Sequence, residues 1–218
     1  MTVTKLRVKG ILLDLDGTIV DSREAYFAAA RAAFRALGLG QPGEKVSLEI
    51  PRSLERKQPL SEVAEVDRER FLGVYLGTYY SVTAEKTCLL PNVSTALKKL
   101  CEKAKLGLIT MRCVPKEDIV GELRRFEVWR YFSCVMAASD ACESKPSPEA
   151  LLKCAEALGL SIGDCVMVGD SVSDVRAGKA AGAKTVAVLS GLFSREELAG
   201  EKSDLILKDV SLLPDFIE

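Results

Sequence analysis

Residues 11–22, ILLDLDGTIVDS, place Asp14 and Asp16 directly after a run of apolar side chains. The stretch 8–14 has the composition of a buried β-strand. A chain that buries residues 11–13 would not follow them with two carboxylates unless a neighbouring group offsets the charge. The role of these aspartates therefore depends on which polar residues end the other apolar runs.

Four further apolar runs have the same character and are predicted to be strands. All five are nearly continuous in apolar residues, as expected of strands buried on both faces. They are VKGILLD (8–14), KLGLIT (105–110), SCVMAA (133–138), CVMVGD (165–170) and KTVAVLS (184–190). Helical patterns separate them, which indicates right-handed βαβ units and a parallel sheet of the α/β class.

Two of the intervening helices carry end signals. In SPEALLKCAEALG (147–159), Ser147 is suited to cap the helix, Pro148 to its first turn and Gly159 to its end. Further along, Ser194 and Glu197 have the spacing of a capping box. These signals support the alternation of strands and helices.

Residues 19–86 interrupt that alternation. Phe27, Ala30, Phe34 and Leu37 recur every three or four positions and form one helical stripe. Two more helices are expected over 44–57 and 61–80, with Pro51 and Pro59 interrupting the middle of the region. We therefore predict a small all-helical domain (19–86) inserted after the first strand, with a core formed by 1–18 and 87–218.

The composition excludes several catalytic classes. There is no histidine, which rules out Ser-His-Asp and Cys-His mechanisms and histidine metal clusters. The seven cysteines are odd in number and form no CxxC pair, which argues against a zinc site or a disulfide framework. We interpret them as core thiols of a protein in the reducing cytoplasm.

Charge and hydropathy limit the partners of the chain. Its 218 residues are 48% hydrophobic and carry a formal net charge of −1, which gives no electrostatic case for nucleic acid or an acidic membrane surface. No segment has the length of a membrane span, and the N-terminus lacks the apolar stretch of a signal peptide. A cytoplasmic protein with a small-molecule partner is expected, and its oligomeric state is left open.

Polar side chains follow four of the predicted strands. Asp14 ends the first, Thr110 the second and Asp170 the fourth; Lys145 follows the third, and Asp174 lies four residues beyond Asp170. Ligands of open parallel sheets bind beyond the carboxyl ends of the strands. We therefore expect these side chains to meet at one edge of the sheet, here called the rim.

The residue types at the rim indicate its ligand. Carboxylates without a histidine or thiolate partner make a hard oxygen site that suits Mg²⁺. Lys145, the Thr110 hydroxyl and backbone N–H groups near Gly17 suit phosphate oxygens. Carboxylates alone would repel a phosphate monoester, so the cation and Lys145 are needed together.

Each rim motif also has a simpler interpretation. The DxDG motif resembles the start of an EF-hand loop, but its glycine lies two places too early for that and Ala25 occupies the position of the final glutamate. Thr110 alone is an ordinary strand-end residue and Lys145 alone an ordinary loop lysine. Asp170 and Asp174 are also suited to cap a helix. Four such motifs in order on successive strands favour the functional interpretation.

The same motifs resemble those of the haloacid dehalogenase-like superfamily. DLDGT (14–18), Thr110, Lys145-Pro146 and GDSVSD (169–174) match its four motifs in order. The flanking IVDS (19–22) and the position of the insert resemble the helical-cap subgroup, which includes phosphoglycolate phosphatase-like and β-phosphoglucomutase-like proteins. The resemblance implies a Rossmann-like three-layer core, with the insert as a cap over the active site.

The resemblance also implies roles for the rim residues. Asp14 would be the nucleophile that forms an aspartyl-phosphate and a ligand of Mg²⁺. Asp16 would be the general acid–base, with its backbone carbonyl reaching the metal. Thr110 and Lys145 would hold the phosphoryl oxygens. Asp170 would bind Mg²⁺ and Asp174 would support it, directly or through water.

Some residues near the motifs are given no role in the reaction. Met111, after the threonine, either shapes the substrate pocket or packs. Arg112 is interpreted as solvated surface and left outside the site, as are the basic residues Arg52, Arg56 and Lys57.

Three functional classes remain open. The first is a Mg²⁺-dependent phosphatase that acts on a small phosphomonoester, such as a phosphoglycolate-like compound or a sugar phosphate. The second is a phosphomutase of the β-phosphoglucomutase type, which shares all four motifs and differs in how it excludes water. The third is a catalytically silent binding module, which the presence of Asp16 argues against. The motifs do not identify the substrate.

Overall fold

The computed structural model describes residues 5–60, 63 and 67–218. It divides into two compact units. One consists of the chain up to Val20 together with Leu89–Glu218, and is called the core unit below. The other is Asp21–Cys88, called the insert unit. The function of the insert unit as a cap stays a prediction.

Strands and helices alternate along residues 89–207 of the core unit, and the α-helices before residue 88 lie in the insert unit. The strands are β1 (Gly10–Leu13), β2 (Val20–Asp21), β3 (Cys88–Leu89), β4 (Lys105–Ile109), β5 (Phe132–Met136), β6 (Cys165–Gly169), β7 (Lys184–Val188) and β8 (Leu205–Leu207). The helices are α1 (Arg23–Ala36), α2 (Glu44–Glu55), α3 (Arg68–Lys86), α4 (Val93–Cys101), α5 (Lys116–Arg125), α6 (Glu149–Ala157), α7 (Val172–Ala181) and α8 (Arg195–Gly200). Short 3₁₀ turns link several of them.

One six-stranded sheet organises the core unit. Its order is β5-β4-β1-β6-β7-β8, and each neighbouring pair is parallel. The order reverses at β1, which lies between β4 and β6, and such a switch point is where open α/β sheets bind ligands. The predicted α/β class and the five predicted strands are confirmed. The edge strand β8 was not predicted.

Side chains of β1 point alternately to the two faces of the sheet. Ile11 and Leu13 belong to one buried cluster, which includes apolar residues of α4 and α5. Leu12 belongs to the cluster on the other face, with residues of α6 and α7. Because strand side chains alternate, a continuous apolar run fills both layers. Each fully buried Leu or Ile contributes about 1.5–3 kcal/mol relative to an exposed one. The three-layer arrangement is thus confirmed.

The predicted helix end signals are present, with one correction. α8 begins with the predicted capping box, in which Ser194 accepts from the backbone N–H of Glu197. Gly159 follows the end of α6 with a φ of +68°, the left-handed conformation that ends helices. The N-cap of α6 is Pro148 and not Ser147. The Ser147 hydroxyl still accepts the backbone N–H of Glu149, at 3.4 Å.

The insert unit is helical, as predicted, but the effect of Pro51 on α2 and the bounds of α3 differ from the prediction. α2 continues through Pro51, which was expected to interrupt it; a proline there removes one helical hydrogen bond without ending the helix. α3 begins at Arg68, where the side chain of Asp67 accepts the N–H of Arg70, and it ends at Lys86. Of the predicted stretch 61–80, residues 61, 62 and 64–66 lie outside the described residues.

The buried face of α1 is shifted relative to the predicted stripe, and Leu37, beyond the end of the helix, is only partly buried. Phe34 and Ala30 are buried as expected, whereas Phe27 is only partly buried. Ala25, Ala29 and Ala33 complete the buried stripe. These small side chains pack with Phe71, Tyr75 and other apolar residues in the core of the insert unit, where Phe34 meets Phe71 edge to face with ring centroids 5.7 Å apart.

The cysteines are less buried than the sequence analysis predicted. None of the seven cysteines is in a disulfide, but only Cys154 and Cys165 are buried and four are exposed, so most are not the core thiols that were expected. Among the described residues, no helix combines the length and apolar composition needed to cross a membrane.

Candidate active site at the carboxyl ends of the strands

Five of the site residues predicted from the sequence are buried in the core unit. They are Asp14, Thr110, Lys145, Asp170 and Asp174. Two of them are attached to the sheet by the backbone. The N–H of Asp14 donates to the Val168 carbonyl of β6 at 2.9 Å, and the N–H of Thr110 donates to the Met136 carbonyl of β5 at 2.9 Å. Strand pairing therefore continues one residue past β1 and β4 and fixes the first residue of each rim loop.

Lys145 links two of the buried carboxylates. Its ammonium donates to Oδ1 of Asp14 and to Oδ1 of Asp174, each at 2.5 Å. Lys145 is only 2% exposed, and a buried ammonium is stable only when it is paired in this way. The interpretation of Lys145 as an ordinary loop lysine is therefore wrong.

Asp174 both caps a helix and contacts the site. Its Oδ2 accepts the backbone N–H of Ser171 at 3.1 Å, and its own backbone N–H donates to the Ser171 hydroxyl oxygen at 3.2 Å, which together form the capping box of α7. The Ser171 hydroxyl also donates to Oδ2 at 2.7 Å. Oδ1 of Asp174 faces Lys145. The capping contacts fix the carboxylate, so Asp174 is held where it can orient Lys145.

Asp170 contacts two loops, one that contains Gly17 and Thr18 and one that contains Gly191 and Leu192. Its Oδ1 accepts from the Thr18 hydroxyl at 3.3 Å and its Oδ2 from the N–H of Leu192 at 3.4 Å. A Cβ at Gly17 would lie 2.6 Å from Asp170 Oδ2, and one at Gly191 only 1.6 Å from it. The loop after β7 thus packs directly on Asp170, a contribution that the sequence did not indicate.

Three carboxylates of the rim form a negatively charged cluster. One oxygen from each of Asp14, Asp170 and Asp174 lies within 4.8 Å of the others, and all three residues are buried. Burial raises the pKa of Asp14 well above its usual value; Lys145 opposes this, while the neighbouring aspartates add to it. Three carboxylates and one ammonium leave a formal charge of −2 when all are ionised. Oxygen donors in this arrangement fit a hard divalent cation such as Mg²⁺.

Asp16 is not one of these three carboxylates, and its side chain faces an arginine. Oδ1 and Oδ2 of Asp16 accept from Nη2 and Nε of Arg112 at 2.6 and 2.9 Å. Nη1 of Arg112 donates to Oε2 of Glu122 in α5. Arg112 is 3% exposed, so its interpretation as solvated surface is wrong. Glu122 was not identified from the sequence.

The remaining residues near the motifs have local contacts. The Thr110 hydroxyl oxygen accepts the N–H of Arg112 at 3.2 Å. The Ser173 hydroxyl lies 3.9 Å from the sulfur of Met111, a packing contact. In the insert unit, Arg52 forms an ion pair with Glu49 at 3.1 Å.

The chain is similar in sequence to known hydrolases. The haloacid dehalogenase-like hydrolase family matches residues 11–188, which include every rim residue. A phosphoglycolate phosphatase of Shigella boydii serotype 4 is 32% identical over 233 residues, covering 95% of this chain and 92% of the relative.

Solved structures share the fold. A haloacid dehalogenase-like family hydrolase from Streptococcus pneumoniae superposes with a TM-score of 0.79 at 20% identity, covering 96% of each chain. A candidate β-phosphoglucomutase from Thermotoga maritima gives a TM-score of 0.69 at 23% identity, covering 95% of this chain and 97% of that one. The family match extends over most of the chain, and the chain therefore belongs to the haloacid dehalogenase-like hydrolases.

Proposed function

We propose that this protein is a Mg²⁺-dependent phosphatase that hydrolyses a small soluble phosphomonoester through an aspartyl-phosphate on Asp14. The observation that carries the proposal is the buried contact between Asp14 and Lys145, beside Asp170 and Asp174. A carboxylate can attack phosphorus only where positive charge offsets the repulsion between the two anions. The rim supplies an ammonium at Asp14 and an oxygen site for a cation.

In the first half of the reaction, a carboxylate oxygen of Asp14 attacks phosphorus and the bond to the ester oxygen breaks. Protonated Asp16 gives its proton to the departing oxygen, which leaves as an alcohol. Lys145 and the Thr110 hydroxyl, whose oxygen already accepts the Arg112 N–H, bind phosphoryl oxygens. The metal, held by Asp14, Asp170 and the Asp16 carbonyl with support from Asp174, would neutralise phosphoryl charge.

In the second half, the Asp16 carboxylate takes a proton from water. The water oxygen attacks the phosphorus of the aspartyl-phosphate, inorganic phosphate leaves and the Asp14 carboxylate is restored. Both halves need one group that changes its protonation state next to Asp14. Asp16 has that position in sequence, two residues beyond the nucleophile.

The proposed substrate is a phosphoglycolate-like compound or a sugar phosphate. Support comes from the relative at 32% identity, which is a phosphoglycolate phosphatase. We propose in addition that the insert unit acts as a cap that favours small substrates, since it leaves the core unit directly after the Asp16 loop. We also propose a cytoplasmic location, which is supported by seven cysteines that form no disulfide.

The proposal is tested by phosphate release from a panel of small phosphate esters, with Mg²⁺ and with EDTA. We expect release from at least one ester, lost in EDTA and inhibited by excess Ca²⁺, which prefers longer bonds and more ligands. Dependence on a bisphosphate activator with little free phosphate would instead identify a mutase. Binding of esters without any turnover would identify a silent module.

Mg²⁺ is expected to stabilise the protein even without substrate. Binding at about a hundredfold excess over Kd adds roughly 2.7 kcal/mol to the free energy of unfolding, or about 5–10 °C in Tm. Asp170→Asn should remove most of that shift, whereas Asp164→Asn, at an exposed ion pair with Lys9, should retain it. An equal Mg²⁺ shift in both variants would contradict the assignment of Asp170.

Gly191→Ala is expected to weaken Mg²⁺ binding without a change of ligand. The new Cβ would lie 1.6 Å from Asp170 Oδ2, so the carboxylate or the loop must move. Disturbed support of a ligand typically costs about 10–100-fold in metal affinity, measurable by calorimetric titration. Gly200→Ala is the control, because no atom lies within 4 Å of a Cβ there. Unchanged affinity in Gly191→Ala would show that the loop does not position Asp170.

A further inference from the structure

We propose that Arg112, held by Glu122, is a positioning residue that fixes the carboxylate of Asp16 for proton transfer. The inference rests on the proposed function, in which Asp16 is the general acid–base. It assigns a role in the reaction to two further residues of the core unit, Arg112 in the loop after β4 and Glu122 in α5. Neither belongs to the four sequence motifs.

The contact between Arg112 and Asp16 is specific in geometry. Nε and Nη2 of the guanidinium bind the two carboxylate oxygens of Asp16 at 2.9 and 2.6 Å. A two-point contact of this kind fixes the plane of the carboxylate as well as its position. The Asp16 side chain is 17% exposed while that of Arg112 is 3% exposed, so the carboxylate is held from its buried side.

Glu122 holds Arg112 from the other side. Its carboxylate accepts from Nη1 of Arg112 and is itself buried. α5 buries Ile119 and Leu123 on the same face as Glu122, so the position of Glu122 is set by apolar packing. The guanidinium of Arg112 therefore links Glu122 on the packed helix α5 to Asp16. The packing of α5 in this way determines the orientation of the Asp16 carboxylate.

The contact with Arg112 is compatible with proton transfer. A carboxylate has about four lone-pair sites on its two oxygens, and a two-point arginine contact uses two of them. General acid–base catalysis requires heavy atoms within about 2.6–3.2 Å, and a displacement of about 1 Å can cost about 10²-fold in rate. Arg112 thus acts on the rate through the placement of Asp16.

The test compares Arg112→Lys with Asp16→Asn and with the double variant. A lysine keeps the charge but cannot make the two-point contact. We expect kcat on alkyl phosphates to fall by up to about 10²-fold, with a smaller loss on aryl phosphates, which need little protonation of the leaving oxygen. KM and the Mg²⁺-induced rise in Tm should change little. In the Asp16→Asn background, Arg112→Lys should add almost nothing, because residues that act as a unit are not additive.

The chain offers a matched control and a second variant. Arg176 makes the same two-point contact with Glu201, at 3.0 and 2.6 Å, but is exposed, and Arg176→Lys should leave kcat unchanged. Glu122→Gln keeps the shape of the side chain and should show the same dependence on the leaving group as Arg112→Lys, in weaker form.

Three results would overturn the inference. They are an equal loss on aryl and alkyl esters, a full additional loss in the Asp16→Asn background, and failure of both Arg112→Lys and Glu122→Gln to fold, which would assign the contacts to stability alone. A wild-type protein that releases no phosphate from any ester would overturn the proposed function, and the inference with it. An active wild type with any of the three results overturns only the role of Arg112.

Discussion

Asp14→Asn is expected to abolish turnover. The substitution removes the proposed nucleophile and one oxygen ligand, while the amide keeps nearly the same shape. Loss of a nucleophile in covalent catalysis costs at least about 10⁴-fold in kcat, and no phosphoenzyme should form. Steady-state phosphate release and acid-quenched labelling with a ³²P-substrate measure the two effects.

The Asp14 variant should remain folded. Burial raises the pKa of Asp14, so its charge is costly in the folded state, and a neutral amide avoids that cost. Lys145 keeps its contact with Asp174 at 2.5 Å. Asp164→Asn is the control for the loss of an aspartate elsewhere. Turnover by Asp14→Asn above about 1% of the wild-type rate would rule out Asp14 as the nucleophile, since covalent catalysis without the nucleophile would fall far below that.

Asp16→Asn is expected to slow the reaction by about 10²–10⁴-fold, the usual contribution of general acid–base catalysis. The loss should be smallest with an aryl phosphate, because its leaving oxygen needs little protonation. Hydrolysis of the aspartyl-phosphate still requires a base, so phosphoenzyme should accumulate in a burst. Single-turnover kinetics with aryl and alkyl phosphates separate the two steps.

The same substitution has a structural cost that must be separated from its kinetic effect. The neutral amide loses the two-point ion pair that Asp16 makes with Arg112, and a weakened buried contact of this kind costs on the order of 1–3 kcal/mol. Assays well below the Tm of the variant, with circular dichroism as a check, remove this contribution. An equal slowing of aryl and alkyl substrates in a folded variant would contradict the role of Asp16.

The position of most rim residues could be predicted because β-sheet geometry is regular. Asp14, Thr110 and Asp170 each follow a buried strand, and parallel strands deliver their carboxyl ends to one edge. The absence of histidine restricted the possible acid–base groups to carboxylates, lysine, tyrosine and cysteine. These inferences depend on local pattern and chain direction alone, which a single sequence contains.

The ion pair of Arg112 could not be predicted, because it depends on where α5 packs. A lone arginine in a loop is usually solvated, and its partners here are 96 and 10 residues away. One signal was present. Ile119, Glu122 and Leu123 follow the spacing of a buried helical face, so a carboxylate at Glu122 needs a partner inside the protein.

The missed features of the fold also have physical reasons. β8 contains only three residues at the edge of the sheet, too few to show a pattern. Pro51 interrupts one hydrogen bond in α2, yet Ile50 and Pro51 are both buried, so packing within the insert unit offsets the loss. In α2, therefore, tertiary contacts outweighed local propensity.

The central claim is that Asp14 carries the phosphoryl group, and the most direct measurement maps the covalent intermediate. Asp16→Asn is mixed with an aryl phosphate and Mg²⁺, quenched in acid, digested and analysed by mass spectrometry with and without hydroxylamine. The account predicts one added phosphoryl group on Asp14, removed by hydroxylamine and absent when Asp14 is also replaced by Asn. A phosphoryl group on any other residue, or none while the wild type turns over the same ester, would contradict it.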